Sequence, residues 1–359
     1  MNIAFFCIPA HGHTNPTLAV VRELTARGHT VRYYTTEAFR AKVEAAGAVF
    51  VPFDTEAARP GMTAADGARL GSDLAFSTKL IVDLTLAADD WLSRELTAHR
   101  PDVIAGDSMA FWAKLAAKKH GIPFVSSTTT FAFNRFSAKV IEQNGAGFLQ
   151  FLLAQPRINR QLKRLRAAGY AVKSVFDIIA NDNETETVVY TSPDFQPCAD
   201  TFSEKYHFVG PLLRPAQSSF EKLPGRSLIY ISLGTVNNDA LPFYRACLAA
   251  FGGDPRFQLV LSAGTQTDLA ALGPIPENCT VRASVDQMAV LDCADVFLTH
   301  CGMNSASEGL WHGLPLVLYP QTPEQHGVAN RVAALGAGVP LTDPSADGIR
   351  RAVEAALTD

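Results

Sequence analysis

Two histidines flank a glycine in Ala10-His11-Gly12-His13-Thr14-Asn15-Pro16, directly after the first apolar run of the chain. An unperturbed imidazole titrates near neutral pH, so a histidine here can take a proton from a hydroxyl. The same pair could hold a metal or remain as solvated loop residues. No obvious third ligand accompanies it, and the chain contains no Asp-x-Asp, which argues against a metal. A base needs an orienting carboxylate. Asp107 follows a second apolar run, residues 102–106, and in a parallel sheet would emerge at the same carboxyl edge as the histidine loop.

A second cluster is Thr299-His300-Cys301-Gly302-Met303-Asn304-Ser305-Ala306-Ser307-Glu308-Gly309. An apolar run precedes it and Leu310-Trp311-His312-Gly313 follows it, so it reads as strand, glycine turn and short helix. A helix that starts at such a turn offers backbone N–H groups and a positive dipole end, a site for diphosphate. His300 on the strand side could reach a phosphate oxygen. Glu308, one turn beyond Asn304 and Ser305, could accept from ribose hydroxyls. The competing reading makes Ser305 to Glu308 a capping box. Downstream, Glu324 and Gln325 follow another buried run and could together hold several sugar hydroxyls. Ser232-Leu233-Gly234-Thr235 forms one more short glycine turn whose N–H groups could face a diphosphate, with the Thr235 hydroxyl in support.

The elements that must position these residues alternate. Residues 3–8, 31–34, 49–51, 102–105 and 124–127 read as strands; 16–27, 37–46 and 109–120 read as helices stopped by glycine. Strands at 228–231 and 257–262, and before His300 and Gln321, begin a second series. This is the punctuation of α/β, doubly wound parallel sheets. At 359 residues two domains are expected: 1–212, a linker at 213–227 marked by nearby prolines, and 228–359. The formal charge of −4 leaves no electrostatic footprint for nucleic acid or an anionic membrane. Six cysteines without a C-x-x-C suggest reduced thiols in a cytoplasmic protein, and residues 3–8 are too short for a signal or a span.

The block from Val285 to Gly338 resembles the donor-binding signature of the family 1 glycosyltransferases, nucleotide-sugar enzymes with the GT-B fold. The matching residues are Gln287, then Thr299-His300-x-Gly302-x-Asn304-Ser305, then Glu308-Gly309, then Pro320-Gln321 with Glu324-Gln325. Ala10 to Leu18 is similar to the family's Gly-His-x-x-Pro element, in which the histidine three before the proline is the base. The resemblance therefore implies His13 as base, Asp107 as its partner, and His11 as a residue lining the acceptor site. It also implies two Rossmann-like domains facing a cleft and an inverting reaction with no metal or other cofactor. The donor would be a UDP- or dTDP-linked sugar, glucose or a related hexose. Gly234, Thr235, His300, Gly302, Met303, Asn304 and Ser305 would surround its diphosphate. Val285 and Gln287 would lie at the nucleoside, Glu308 at ribose, and Glu324 with Gln325 at the sugar. Phe76, Thr129, Phe131 and Phe133, with Phe136 nearby, suggest an apolar wall for a hydrophobic hydroxylated acceptor such as a polyphenol or macrolide, as in the bacterial macrolide and flavonoid enzymes.

Two departures stand out. Ser284-Val285-Asp286 replaces the family's aromatic residue, any residue and proline, and the chain stops in the helix at 346–357, short of the usual cross-over helices. The alternative expectation is a catalytically silent GT-B auxiliary protein. A nicotinamide enzyme is disfavoured because no G-x-G-x-x-G follows the first strand.

Overall fold

The computed structural model describes residues 1–53, 73–134, 136–137, 147–181, 183–235 and 238–358, with backbone alone for 147–152. It divides into two compact units, Met1–Leu212 and Leu213–Asp359.

The first unit runs β1 (Asn2–Phe6), α1 (His11–Ala26), β2 (Thr30–Thr35), α2 (Arg40–Ala45), β3 (Val49–Pro52), α3 (Leu74–His99), β4 (Val103–Asp107), α4 (Phe111–His120), β5 (Phe124–Thr128), α5 (Gly147–Ala167), α6 (Phe176–Ile179), β6 (Glu186–Val189) and β7 (Tyr206–Phe208). Its seven strands lie parallel in the order β3-β2-β1-β4-β5-β6-β7. Neighbouring residues serve opposite faces, as the pleat requires. Phe5 stacks on Tyr33 with ring centres 5.0 Å apart, while Phe6 stacks on Tyr34 at 4.3 Å. Phe5 and Tyr33 join the core with Val21 and Val43; Phe6 and Tyr34 join Leu92 and Trp112. Burial on both faces explains why the strands read as continuous apolar runs.

The second unit runs β8 (Ser227–Ser232), α7 (Leu241–Phe251), β9 (Phe257–Ser262), β10 (Cys279–Arg282), α8 (Gln287–Leu291), β11 (Val296–Thr299), α9 (Met303–Trp311), β12 (Leu316–Leu318), α10 (Pro323–Ala334), β13 (Gly338–Pro340) and α11 (Ala346–Ala356). Its strands are also parallel, in the order β10-β9-β8-β11-β12-β13. Ile229 and Ile231 face a core shared with Tyr244, Phe251, Ile349 and Val353; Tyr230, facing the other way, stacks on Phe297 at 4.8 Å.

In each sheet the strand order reverses once, between β1 and β4 and between β8 and β11. Chain segments leaving two such strands turn to opposite faces, which opens a crevice at their carboxyl ends. Both chemical clusters of the sequence sit there: the histidines and Asp107 after β1 and at the end of β4, Gly234 and His300 after β8 and β11.

One boundary moved. The helix expected from Pro16 begins at His11, because the Ala10 carbonyl accepts from both His13 and Thr14 N–H, and Pro16 lies inside α1. The histidines thus stand on the first helical turn rather than in a loop. Four short strands, β6, β7, β10 and β13, were not read from the sequence.

Candidate active site

In the first unit, Asp107 is the last residue of β4 and its side chain is wholly buried. Its Oδ1 accepts from Met109 N–H at 2.9 Å, and its Oδ2 lies 2.7 Å from His13 Nδ1. A carboxylate only accepts, so Nδ1 carries the proton and the lone pair resides on Nε2. The His13 side chain is 18% exposed, enough for a hydroxyl to approach. Thr129, read as part of an acceptor wall, lies against the same ring: its Oγ1 is 3.0 Å from His13 Nδ1.

His11 turns elsewhere. Its Nδ1 is 3.4 Å from Lys42 Nζ, and its ring stands edge-on to Phe39 at 5.0 Å. Partial burial, then the Lys42 charge, hold its pKa below the usual histidine value. An open recess of about 100 Å³ adjoins Asp107, lined in part by Met109, Phe111, Lys114, Phe131 and Phe133. Phe131 is buried against Phe195, whereas Phe133, Phe136 and Met109 are exposed. Phe76 is half-buried at the start of α3, outside the lining, with its N–H bonded to Asp73.

In the second unit, the His300 ring lies close against two glycine turns. A β-carbon on Gly234 would lie 2.5 Å from His300 Nε2, and one on Gly302 would lie 2.6 Å from it. Gly234 also has φ +78°, a conformation that side chains disfavour. Burial pushes the His300 imidazole down to about 4, so it is neutral near pH 7, and its buried Nδ1 has no partner among the described residues. Cys301 adopts φ +63°, uncommon for a residue other than glycine, with its N–H given to Thr299 Oγ1 at 3.1 Å. Such local strain concentrates at functional turns. Gly302 is the N-cap of α9, and no side chain caps that end. The N–H groups of the first helical turn, Met303, Asn304 and Ser305, therefore have no helical carbonyl to bond. Met303 is buried, Asn304 and Ser305 are half-buried, and Thr235 is exposed.

Glu308 sits further along α9, half-buried, and accepts a short hydrogen bond from Gln287 Nε2. Gln287 Oε1 in turn accepts from the buried Tyr230 hydroxyl at 3.0 Å. Burial raises the Glu308 pKa above the ordinary glutamate value, opposed by that hydrogen bond and by the Arg214 charge. The capping-box reading of Ser305 to Glu308 does not hold. The capping box lies at α10, where Gln325 Oε1 accepts from Gln321 N–H at 2.8 Å and Thr322 N–H at 3.2 Å. Gln325 thus commits its carbonyl to the helix start, beside the exposed Glu324. Val285 is half-buried and Ser284 exposed.

Two residues escaped the sequence reading. Asn238, fully buried, donates from Nδ2 to the Gly234 carbonyl at 3.0 Å and accepts from Gln266 N–H at 3.3 Å, tying the glycine turn to the segment after β9. Asp286 accepts from Arg214 Nη1 at 2.9 Å, Gln217 N–H at 2.6 Å and Ser218 N–H at 2.9 Å. A lone asparagine or aspartate carries no pattern that would reveal either role. Among the described residues, no group of three or more His, Cys, Asp or Glu side chains is arranged to hold a metal, and no helix is long and apolar enough to cross a membrane.

Residues 225–359 match the family model for UDP-glucoronosyl and UDP-glucosyl transferase. NDP-glycosyltransferase YjiC of Bacillus licheniformis is 33% identical over 98% of this chain and 88% of its own length. Demethyllactenocin mycarosyltransferase of Streptomyces fradiae is 34% identical over 94% of this chain and 75% of its own. The crystal structure of the kitacinnamycin glycosyltransferase superposes with a TM-score of 0.85 at 30% identity, covering 100% of this chain and 90% of that one. Two Rossmann-like units of this kind are those of a GT-B glycosyltransferase. Within that class, the chain belongs to the family 1 glycosyltransferases.

Proposed function

We propose that this protein is an inverting, metal-independent transferase that moves glucose or a related hexose from a UDP- or dTDP-linked donor to a hydroxyl of a hydrophobic small molecule, such as a polyphenol or macrolide. The observation that carries the reading is the 2.7 Å bond between His13 Nδ1 and the buried Asp107 carboxylate, which leaves Nε2 as a proton acceptor. The acceptor hydroxyl gives its proton to Nε2 as its oxygen attacks the anomeric carbon, and the nucleoside diphosphate departs from the opposite face. The charge that gathers on the diphosphate meets the N-terminal end of α9, where backbone N–H groups and the helix dipole stabilise it without reorganising. His300, being neutral, contributes a hydrogen bond rather than a charge. Glu308 holds ribose; Glu324 and the amide nitrogen of Gln325 hold the sugar. Support on the acceptor side comes from the recess beside Asp107, whose wall includes Phe111, Phe131 and Phe133, and from relatives named for demethyllactenocin and oleandomycin.

The test is transfer in the presence of EDTA, with UDP-glucose and dTDP-glucose offered alongside flavonoid and macrolide acceptors. A product of inverted anomeric configuration is expected; retention of configuration, or turnover only with added metal, would refute the reading.

Glu308 adds a pH dependence. Its raised pKa means that the carboxylate is lost on acidification earlier than an ordinary glutamate's. UDP-glucose, whose diphosphate does not titrate in this range, should bind several-fold more weakly as pH falls through that value, by the loss of about one charge-assisted hydrogen bond. The Glu308→Gln variant should bind it with little pH dependence. Parallel profiles for the two proteins, followed by calorimetry, would remove Glu308 from the ribose site.

A further inference from the structure

The segment before α8, Ala283-Ser284-Val285-Asp286, offers no ring. Ser284 is exposed and Val285 is half-buried. What the segment does hold is an arginine from elsewhere in the chain. Asp286 fastens Arg214 through Nη1 at 2.9 Å while its other oxygen takes the N–H groups of Gln217 and Ser218 and the Ser218 hydroxyl. Although partial burial works against its charge, these bonds hold the Asp286 carboxyl below the usual aspartate range, so the clamp stays ionised at neutral pH. Arg214 remains 41% exposed, and its Nε and Nη2 make no hydrogen bond among the described residues. The guanidinium is thus held through one nitrogen while the side chain stays partly open to solvent.

Its place relative to the donor site follows from the helix. Met303 opens α9 and Glu308 lies five residues on, about 7.5 Å along the axis at 1.5 Å per residue. That is the stride from the diphosphate of a nucleotide to its ribose hydroxyls. Gln287, bonded to Glu308, is the residue after Asp286, so the step beyond ribose leads to the Asp286–Arg214 pair. The Arg214 charge is also felt at Glu308. A nucleobase attached to that ribose needs a flat partner, and a guanidinium plane stacks on aromatic faces where an ammonium does not.

We propose that Arg214, clamped by Asp286, is the nucleobase platform of the donor site, its guanidinium stacking on the pyrimidine of a pyrimidine nucleoside diphosphate. The inference rests on the donor-site reading above and assigns one side chain within it.

The experiment titrates the whole protein, by calorimetry, with UDP and with inorganic pyrophosphate, which has the anion but no base. Arg214→Ala should weaken UDP about tenfold, the loss of one base stack, and leave pyrophosphate unchanged. Arg214→Lys, which keeps the charge and loses the plane, should weaken UDP nearly as much. Full UDP affinity in Arg214→Lys would overturn the stacking role, and so would equal losses for UDP and pyrophosphate in Arg214→Ala, since those mark a charge or folding effect. Wild-type protein that binds pyrophosphate but not UDP would overturn the platform alone. Wild-type protein that binds neither would overturn the donor-site reading along with it.

Discussion

Asp107→Asn is expected to lower kcat by about 10³- to 10⁴-fold, as much as the loss of the base itself. The reason lies in how the carboxylate is held. Oδ1 accepts from Met109 N–H, so in the variant the amide oxygen must stay on that side to keep the bond. The amide nitrogen is then placed against His13 Nδ1, where the native oxygen stands at 2.7 Å. An N–H donor there forces the imidazole proton onto Nε2, and the lone pair that should receive the acceptor's proton is turned away. His13→Ala should cost about 10²- to 10⁴-fold in kcat by removing the base altogether. Both changes lie in the first unit, so UDP affinity should stay within about twofold. Initial rates with a weakly acidic alcohol, with UDP titrations alongside, separate the effects. Turnover near the native rate in His13→Ala would remove the histidine from the reaction.

Gly234→Ala should produce the largest loss of donor binding for the smallest change in composition. The new methyl would enter the space of the His300 ring, whose Nε2 lies 2.5 Å from the β-carbon position. A methyl on Gly302 would meet the same Nε2 at 2.6 Å, so the ring needs glycine at both turns. Adopting φ +78° costs an alanine about 1–2 kcal/mol, and overpacking adds about 1–3 kcal/mol. The second unit should melt several degrees lower, and UDP should bind at least about tenfold more weakly as the diphosphate turn is displaced. Gly225→Ala is the control. Gly225 has φ +72° with open space around its β-carbon position, so it isolates the backbone cost. Equal effects from the two substitutions would mean that the ring is not wedged.

How legible was this in the sequence? The parallel α/β layers were, because strands buried on both faces leave continuous apolar runs and glycines close the helices between them. That a histidine of the 11–13 segment could meet Asp107 was legible for the same reason, since both follow such runs and parallel strands deliver their carboxyl ends to one edge; the choice of His13 over His11 came from the family resemblance. What depended on particular hydrogen bonds was not. The start of α1 at His11 follows from the Ala10 carbonyl accepting two N–H groups, and no residue type announces that. A capping box was the competing reading at Ser305 and is found at Thr322, since the same Ser/Thr-x-x-Glu/Gln pattern occurs twice and only the backbone decides between them. Asp286 looked like a missing proline, yet it anchors Arg214, Gln217 and Ser218, residues about seventy positions earlier. The four unread strands span only three or four residues each, too few to show a period.

The crevices at the two strand-order reversals are built on two different sheets, each packed by its own buried side chains. In the proposed reaction the proton is taken in one and the leaving group is received in the other. Met109 and Phe133 are exposed on the first unit, whereas His300 is set in the second. On that proposal acceptor range and donor chemistry are mutationally separable: drift in the first unit would change which molecule is decorated while the second keeps its nucleotide, and the reverse exchange is open too.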